Sequence, residues 1–160
     1  MNIKADVKLV LRDNLVELFM DKIIIADEIS KAISETQQIV PFSKRGILLS
    51  LQDAYDVAGL VKENLGSPSE VGKKIGFTNR NIWDVYNVNA PIWGPITSKS
   101  VSFTETNFQK IDLSRFCEPR IEPEVVICLK ERPHHFDDNL TIFIDWIAPG
   151  FEIVDSIYPN

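Results

Sequence analysis

The chain has 160 residues, 44% hydrophobic and 25% charged, and its 17 basic and 23 acidic side chains give a formal net charge of −6. This composition is that of an ordinary globular domain, and it excludes a disordered or fibrous chain. No cluster of Lys and Arg is large enough to follow a phosphate backbone, so we expect no nucleic-acid partner. The two cysteines, Cys117 and Cys128, do not make a disulfide framework, and Cys128 is expected to be a small buried hydrophobe.

The N-terminus lacks the basic start and the long apolar core of a signal peptide. The strongest apolar cluster, Ile23–Ala26, is far shorter than the roughly 20 residues that cross a bilayer. We therefore expect a cytoplasmic protein with no membrane partner.

The first third of the chain predicts helices. Apolar residues at three- and four-residue steps predict an amphipathic helix over 5–20 and a second helix over 26–36. The best-marked helix covers 50–65, where Ser50 and Asp53 form a variant of the capping box and Gly66 provides the stop. The apolar face of this helix is expected to consist of Leu51, Ala54, Tyr55, Ala58, Val61 and Leu65.

The remainder of the chain is richer in β-prone segments. We expect a strand at 72–79 that leads into a turn, a short helix at 79–86 and a rigid loop at 90–95, where two prolines and a glycine fix the backbone. The later segments are a weak strand at 100–104, a short strand and turn at 108–116, a central strand at 123–130, a polar turn at 132–139, a strand or helix at 141–148 and a short strand at 151–154.

These elements predict an α+β fold with a helical region at 1–70 followed by a β-rich region at 71–160. Pro123 cannot donate to a sheet ladder, so the residues around it should lie at a strand start or an edge.

Two glutamates, Glu122 and Glu124, stand one residue apart at the start of the predicted central strand. In extended backbone they would project from the same face, where adjacent carboxylates repel unless they are solvated, share a proton or bind a cation. With Glu152 as a third acid, the set would suit Mg²⁺, which prefers oxygen ligands. A solvated acidic turn is the alternative that the pattern leaves open.

Lys74 lies between Gly72 and Gly76 in an apolar setting. Enclosure in a pocket would lower the pKa of its ammonium and let it act as a base, although the spacing alone favours an ordinary surface lysine. His134 and His135 are neighbours in a turn-like segment, and a solvated loop is the preferred interpretation. The phosphate-binding P-loop, the dinucleotide-binding glycine pattern and the nucleophile-elbow serine are all absent from the sequence.

Five sequence blocks follow one another along the chain: 50–55 (SLQDAY), 72–79 (GKKIGFTN), 91–94 (PIWG), 120–125 (RIEPEV) and 151–156 (FEIVDS). Their order resembles the 2-keto-4-pentenoate hydratase branch of the fumarylacetoacetate hydrolase family. That branch also contains decarboxylases of 2-oxo-3-hexenedioate. The chain departs from the pattern at Ile92, where many hydratases have an acidic residue, and we expect it to lack the C-terminal part of the family.

The resemblance implies helices followed by a β-rich mixed sheet or roll, here incomplete. It also implies a Mg²⁺ or Mn²⁺ site formed by Glu122, Glu124 and Glu152. By the same resemblance, Lys74 is the catalytic residue, and Thr78 and Asn79 lie near the substrate.

The implied activity is that of a divalent-metal-dependent lyase, a hydratase acting on a small 2-hydroxydienoate or 2-oxo acid in aromatic compound catabolism. Two alternatives remain open: a 2-oxo acid decarboxylase of the same family, and a non-catalytic truncated member. We expect a homo-oligomer or a partner chain, because a sheet that ends at this point would expose apolar surface.

Overall fold

The computed structural model describes residues 21–86, 88–106, 108–133 and 139–159. Helices precede small antiparallel sheets, which confirms the predicted α+β class. None of the described helices is long and apolar enough to span a membrane. The main elements are α1 (described at 21–35), α2 (Leu51–Asn64), β1 (Glu70–Gly76), α3 (Trp83–Tyr86), β2 (Ile92–Thr97), β3 (Arg120–Leu129) and β4 (Ile144–Val154), with 3-10 helices at Phe42–Arg45, Arg80–Ile82 and Leu140–Phe143.

The helix α1 corresponds to the helix predicted over 26–36, whereas the helix predicted over 5–20 lies outside the described residues. Thr36 follows α1 with a φ of 53°, a left-handed conformation that a helix cannot continue. The predicted end of this helix is therefore confirmed.

The cap of α2 forms as the sequence predicts. The Ser50 hydroxyl accepts the Asp53 backbone N–H at 3.1 Å, and the Asp53 carboxylate accepts the Ser50 N–H at 3.2 Å. This reciprocal capping box pairs N–H groups that the first helical turn would otherwise leave without a partner. At the other end, Gly66 has a φ of 89°, which glycine adopts without a Cβ penalty.

The buried side of α2 differs from the predicted one. Val57 is its only buried residue, while Leu51, Ala54 and Ala58 are exposed. Tyr55 is half-buried because its ring stacks on Trp93 of β2, with centroids 5.2 Å apart. Because residues two positions apart on a helix do not share a face, Tyr55 and Val57 make their contacts on different sides of α2.

Lys22 of α1 forms ion pairs with two acids of α2, Asp53 at 2.6 Å and Asp56 at 2.9 Å. The Lys22 ammonium, followed by the Ser50 hydroxyl, lowers the pKa of Asp53 from 3.8 to about 2. The same pairing lowers the pKa of Asp56 and raises that of Lys22. Both pairs lie at the surface, where such contacts contribute modestly to stability.

We expect Asp53 to produce an acid-dependent loss of stability. Its folded-state pKa is below the unfolded one, so its contribution is present above about pH 4 and disappears as the pH falls towards about 2. Urea unfolding at several pH values in this range should show a smaller loss for Asp53→Asn than for wild type. Glu63→Gln, in the same helix, is the control; equal losses in the two variants would contradict the prediction.

The chain divides into two compact units, each described here by itself: residues 1–31 with 46–111, and residues 32–45 with 112–160. The proposed division at residue 70 stays a prediction. Among the described residues, each unit contains three buried apolar side chains. They are Ile25, Ala26 and Val57 in the first unit, and Ala32, Phe42 and Phe143 in the second.

The first unit contains an antiparallel pair of β1 and β2, in which Lys74 lies opposite Gly94 and Ile75 opposite Trp93. The strand predicted at 72–79 is confirmed as Glu70–Gly76, and the short helix predicted at 79–86 is confirmed by Arg80–Ile82 and Trp83–Tyr86. The prediction of a loop over 90–95 was wrong, because Ile92–Thr97 forms β2 despite its Gly-Pro pair.

The predictions of a strand at 100–104 and of another within 108–116 are also wrong, since none of the described residues there belongs to a β-strand. Local side-chain bonds take the place of strand pairing. The Thr104 hydroxyl accepts the Thr106 N–H at 3.2 Å, and the Asp112 carboxylate accepts the Ser114 N–H at 2.9 Å. Such bonds offer the backbone an alternative to a sheet.

The second unit contains the antiparallel pair of β3 and β4. The central strand predicted at 123–130 begins earlier, at Arg120, so Pro123 is near its start as expected. The ambiguous segment 141–148 is divided between the 3-10 helix Leu140–Phe143 and β4, and the short strand predicted at 151–154 is the end of β4.

Candidate metal centre

The pairing of β3 with β4 places three carboxylates on one face. Glu122 lies directly opposite Glu152, and Glu124 lies opposite Gly150. Opposed residues of an antiparallel pair share a face, as do residues two apart on one strand. Glu122, Glu124 and Glu152 therefore form a cluster at adjoining positions of two strands.

One carboxylate oxygen from each of the three glutamates lies within 4.8 Å of the other two. Glu122 and Glu124 are exposed and Glu152 is half-buried. Three negative charges at this separation repel one another unless water screens them, they share a proton or a cation neutralises them. An all-oxygen set of carboxylates with open solvent access fits Mg²⁺ or Mn²⁺, which keep some of their waters.

Gly150 completes the arrangement, although the sequence analysis assigned it no role. It occupies the position opposite Glu124, where any other residue would add a side chain to the carboxylate face. A Cβ at this position would lie 2.7 Å from Cγ2 of Val126 and 4.0 Å from Cβ of Glu124. Glycine at this position therefore makes room for the Val126 side chain on the carboxylate face. The sequence signal for Gly150 was its position two residues before Glu152, which puts both residues on the same face of a strand.

Asp155 is a second residue that the sequence analysis did not single out. Its carboxylate accepts the backbone N–H groups of Cys117 at 3.0 Å and Glu118 at 2.7 Å, just before β3 begins. Because Asp155 directly follows β4, these bonds hold the start of one strand to the end of the other. Burial, followed by the nearby charge of Asp155, raises the pKa of the Cys117 thiol.

Lys74, the predicted catalytic residue, lies in β1 and is exposed. Its stem crosses Gly94, where an added Cβ would come within 3.3 Å of the Lys74 Cε. The absence of a side chain at Gly94 therefore makes room for the lysine. Lys74 belongs to the first unit and the three glutamates to the second.

Thr78 and Asn79, the predicted substrate-binding residues, are exposed in the turn after β1. The Asn79 side chain accepts the Asn81 N–H at 3.0 Å and caps the 3-10 helix Arg80–Ile82. Phe77, before them, has a φ of 56°, and its carbonyl accepts the Trp83 indole N–H at 2.7 Å. These contacts fix the path of the turn.

A shallow hollow of about 350 Å³ lies on the first unit, on the Lys73 side of β1. Neighbouring residues of a strand point to opposite faces, so Lys74 does not line it. The Lys73 ammonium lies 3.7 Å from the centre of the Trp93 ring and 2.8 Å from Glu70. The hollow is lined by Lys73, Ile75, Pro91, Ile92 and Trp93, none of which is a predicted site residue.

Cys117 and Cys128 are free, as expected, and Cys128 is half-buried in β3 rather than fully buried. The adjacent histidines His134 and His135 lie outside the described residues.

Comparison with known proteins defines the class: the chain is a distant homologue of hydratases and a decarboxylase over part of their length. It is 28% identical over 145 residues to 2-hydroxypent-2,4-dienoate hydratase of Pseudomonas putida, covering 86% of this chain and 64% of that protein. It is 35% identical over 94 residues to 4-oxalocrotonate decarboxylase of a Pseudomonas species, covering 56% of this chain and 34% of that protein. The resemblance inferred from the five blocks is confirmed. No protein-family model matches the chain.

The fold is similar to that of 4-oxalocrotonate decarboxylase from Pseudomonas putida G7, whose structure was solved in complex with magnesium and adipate. The TM-score is 0.72 at 25% identity, and the match covers 88% of this chain and 54% of that one. The chain thus spans about half the length of the solved relative and between about a third and two thirds of the two curated ones.

Proposed function

We propose that the chain is a divalent-metal-dependent hydratase-type lyase that acts on a small 2-hydroxydienoate or 2-oxo acid of the 2-keto-4-pentenoate type. The observation that carries the proposal is the cluster of Glu122, Glu124 and Glu152, in a chain homologous to hydratases. A solved relative that contains magnesium and adipate supports both a divalent cation and a small acid as ligands.

In this proposal the three glutamates hold Mg²⁺ or Mn²⁺ through their carboxylate oxygens. The cation, when bound, supplies a Lewis acid that polarises the oxygens of a 2-oxo acid. Glu122 and Glu124 are exposed, so that a small acid can approach the cluster from solvent. Asp155 acts as a positioning residue, because it ties together the strand ends that carry Glu122 and Glu152.

The resemblance supports Lys74 as the group that transfers a proton to or from the substrate, with Thr78 and Asn79 binding the substrate. An amine on a flexible stem suits proton transfer at carbon, provided that the substrate comes within hydrogen-bonding distance. Hydration needs one proton delivered to the diene and one removed from water, so a single group that can both donate and accept is sufficient.

Decarboxylation of a 2-oxo acid is the second candidate, favoured by the 35% identity to 4-oxalocrotonate decarboxylase. Both reactions need the same metal-polarised 2-oxo group and differ in whether the substrate gains water or loses carbon dioxide. A non-catalytic member of the family that needs a partner chain is the third.

The test is a metal-dependent assay of the purified chain. With Mg²⁺ or Mn²⁺, and not with a chelator, we expect the ultraviolet absorbance of 2-hydroxypenta-2,4-dienoate to fall. Lys74→Met should abolish turnover and leave Mn²⁺ binding unchanged, while Lys73→Met, on the opposite face of β1, should retain turnover. Release of carbon dioxide from 4-oxalocrotonate would favour the decarboxylase. Folded, metal-bound protein that turns over neither substrate would favour the non-catalytic member.

A further inference from the structure

The backbone at Phe77, immediately after β1, has a conformation that phenylalanine rarely adopts. Its φ of 56° lies in the left-handed region, where the Cβ of a bulky residue crowds the backbone. Such conformations persist only where the surrounding structure holds them, and they are concentrated at active sites and ligand contacts. Thr78 and Asn79, the predicted substrate-binding residues, come directly after Phe77. The contacts that hold Phe77 therefore also set the path of the chain through these two residues.

Two aromatic residues of the following helical segment contact Phe77. The indole N–H of Trp83 donates to the Phe77 carbonyl at 2.7 Å, and both residues are half-buried. The ring of Tyr86 packs edge-on against the ring of Phe77, with centroids 5.3 Å apart. Of the two contacts, the indole bond acts on the backbone itself. A rotation about the backbone of Phe77 would turn the carbonyl away from the indole and break this bond.

Trp83 is itself held in place by its neighbours. Its carbonyl accepts the Val88 N–H at 3.0 Å, and its own backbone N–H donates to the Arg80 carbonyl. The Arg80 guanidinium lies 5.6 Å from the centre of the Trp83 ring. Asn79 caps the 3-10 helix that leads to Trp83. The indole therefore contacts Phe77 from a helical segment that begins at the turn it holds.

We propose that Trp83 is a positioning residue for substrate, because its indole N–H holds the turn 77–79 in the conformation that binds a small 2-oxo acid. The inference rests on the proposed function, since it takes Thr78 and Asn79 as substrate-binding residues. Trp83 acts through the Phe77 carbonyl and does not itself bind the substrate. Without the indole bond, the left-handed conformation loses population, and the apparent affinity falls with the fraction of molecules that retain it.

The experiment measures, by calorimetric titration in the presence of Mn²⁺, the binding of 2-oxopentanoate, a saturated 2-oxo acid, to the whole chain. Trp83→Phe keeps an aromatic ring and removes the N–H donor. We expect it to raise the dissociation constant about fivefold, since one hydrogen bond shifts a conformational equilibrium by up to about tenfold. In turnover of 2-hydroxypenta-2,4-dienoate, KM should rise by the same factor and kcat should be retained. Trp93→Phe, which removes an indole N–H from β2 of the same unit, should leave the dissociation constant unchanged.

A second background separates positioning from a loss of stability. Glycine adopts a positive φ without a Cβ penalty, so Phe77→Gly lets the turn keep its conformation without the indole bond. In that background, adding Trp83→Phe should change the dissociation constant by less than about twofold. Urea unfolding of each variant measures the global stability, which a merely structural role of Trp83 would lower without altering the dissociation constant.

Three results would overturn the inference. The first is a wild-type chain that does not bind 2-oxopentanoate, and the second is a Trp83→Phe variant that binds it as tightly as the wild type. The third is an equal loss of affinity on adding Trp83→Phe in the two backgrounds. Failure of the proposed lyase activity is a different result, in which the wild type binds 2-oxopentanoate but turns over no substrate. The comparison of binding by the variants then still decides the inference, because binding needs no chemical step.

Discussion

Replacing Glu122 with glutamine is expected to change stability in opposite directions with and without a divalent cation. Without metal, the three carboxylates, each with an oxygen within 4.8 Å of the others, repel. Glu122→Gln removes one charge and should raise the free energy of unfolding slightly, since the repulsion of exposed groups is screened by water. With saturating Mg²⁺ the wild type should become the more stable of the two proteins, because the variant has lost a metal ligand.

The linkage between metal binding and folding sets the size of this reversal in unfolding free energy. A cation at a hundred times its dissociation constant raises the free energy of unfolding of the wild type by about 2.7 kcal/mol. Loss of one of three carboxylates should weaken Mn²⁺ binding at least tenfold, which removes about 1.4 kcal/mol of that gain. Urea unfolding with chelator and with Mg²⁺, together with calorimetric titration of Mn²⁺, measures both effects.

The control for this prediction is Glu131→Gln, an exposed acid of the same unit that follows β3 and is not part of the cluster. It should leave both the Mn²⁺ affinity and the Mg²⁺-induced stabilisation unchanged. The metal site would be refuted if Glu122→Gln and Glu131→Gln behaved alike in the two buffers.

Replacing Phe143 with alanine should cost about 3–5 kcal/mol of unfolding free energy. Phe143 is 6% exposed and is among the few buried apolar residues of the second unit. It also ends the 3-10 helix before β4, and its carbonyl accepts the Lys130 N–H at 2.9 Å. A cavity at this point removes packing that the small core cannot replace.

Phe151→Ala is the matched comparison, because it removes the same side chain from the same unit. Phe151 is 73% exposed in β4, so the change should cost no more than about 0.5 kcal/mol in the isolated chain. Urea midpoints of the two variants at one pH test the difference. Equal destabilisation of the two variants would show that the Phe151 side chain is packed against other protein in solution.

Local signals in the sequence were sufficient for the two ends of α2. Ser50 and Asp53 are three residues apart, and the capping box depends on that spacing alone. Gly66 similarly marks the end of α2 by its freedom to adopt a positive φ. The buried residues of α2 could not be predicted in the same way, because contacts such as the stacking of Tyr55 on Trp93 depend on a strand elsewhere in the chain.

The strands show where local signals fail. Ile92–Thr97 contains Gly94 and Pro95, which favour a loop, yet pairing with β1 makes it a strand. For the candidate site, the two-residue spacing of Glu122 and Glu124 predicted a shared face. The sequence offered Glu152 as a third acid, but its distance from the pair depends on the β3–β4 register, which periodicity does not specify.

The dependence of the carboxylate cluster on strand pairing determines which changes in chain length the site can survive. Residues 130–143 join the two strands, and an insertion among them does not change the alternation of side chains along either strand. A single deletion between Glu122 and Glu124 would instead turn one carboxylate onto the opposite face of the β3–β4 pair, since successive side chains alternate. Length variation among related chains should therefore collect in the connecting segment, whereas the spacing of the acids within each strand should stay constant.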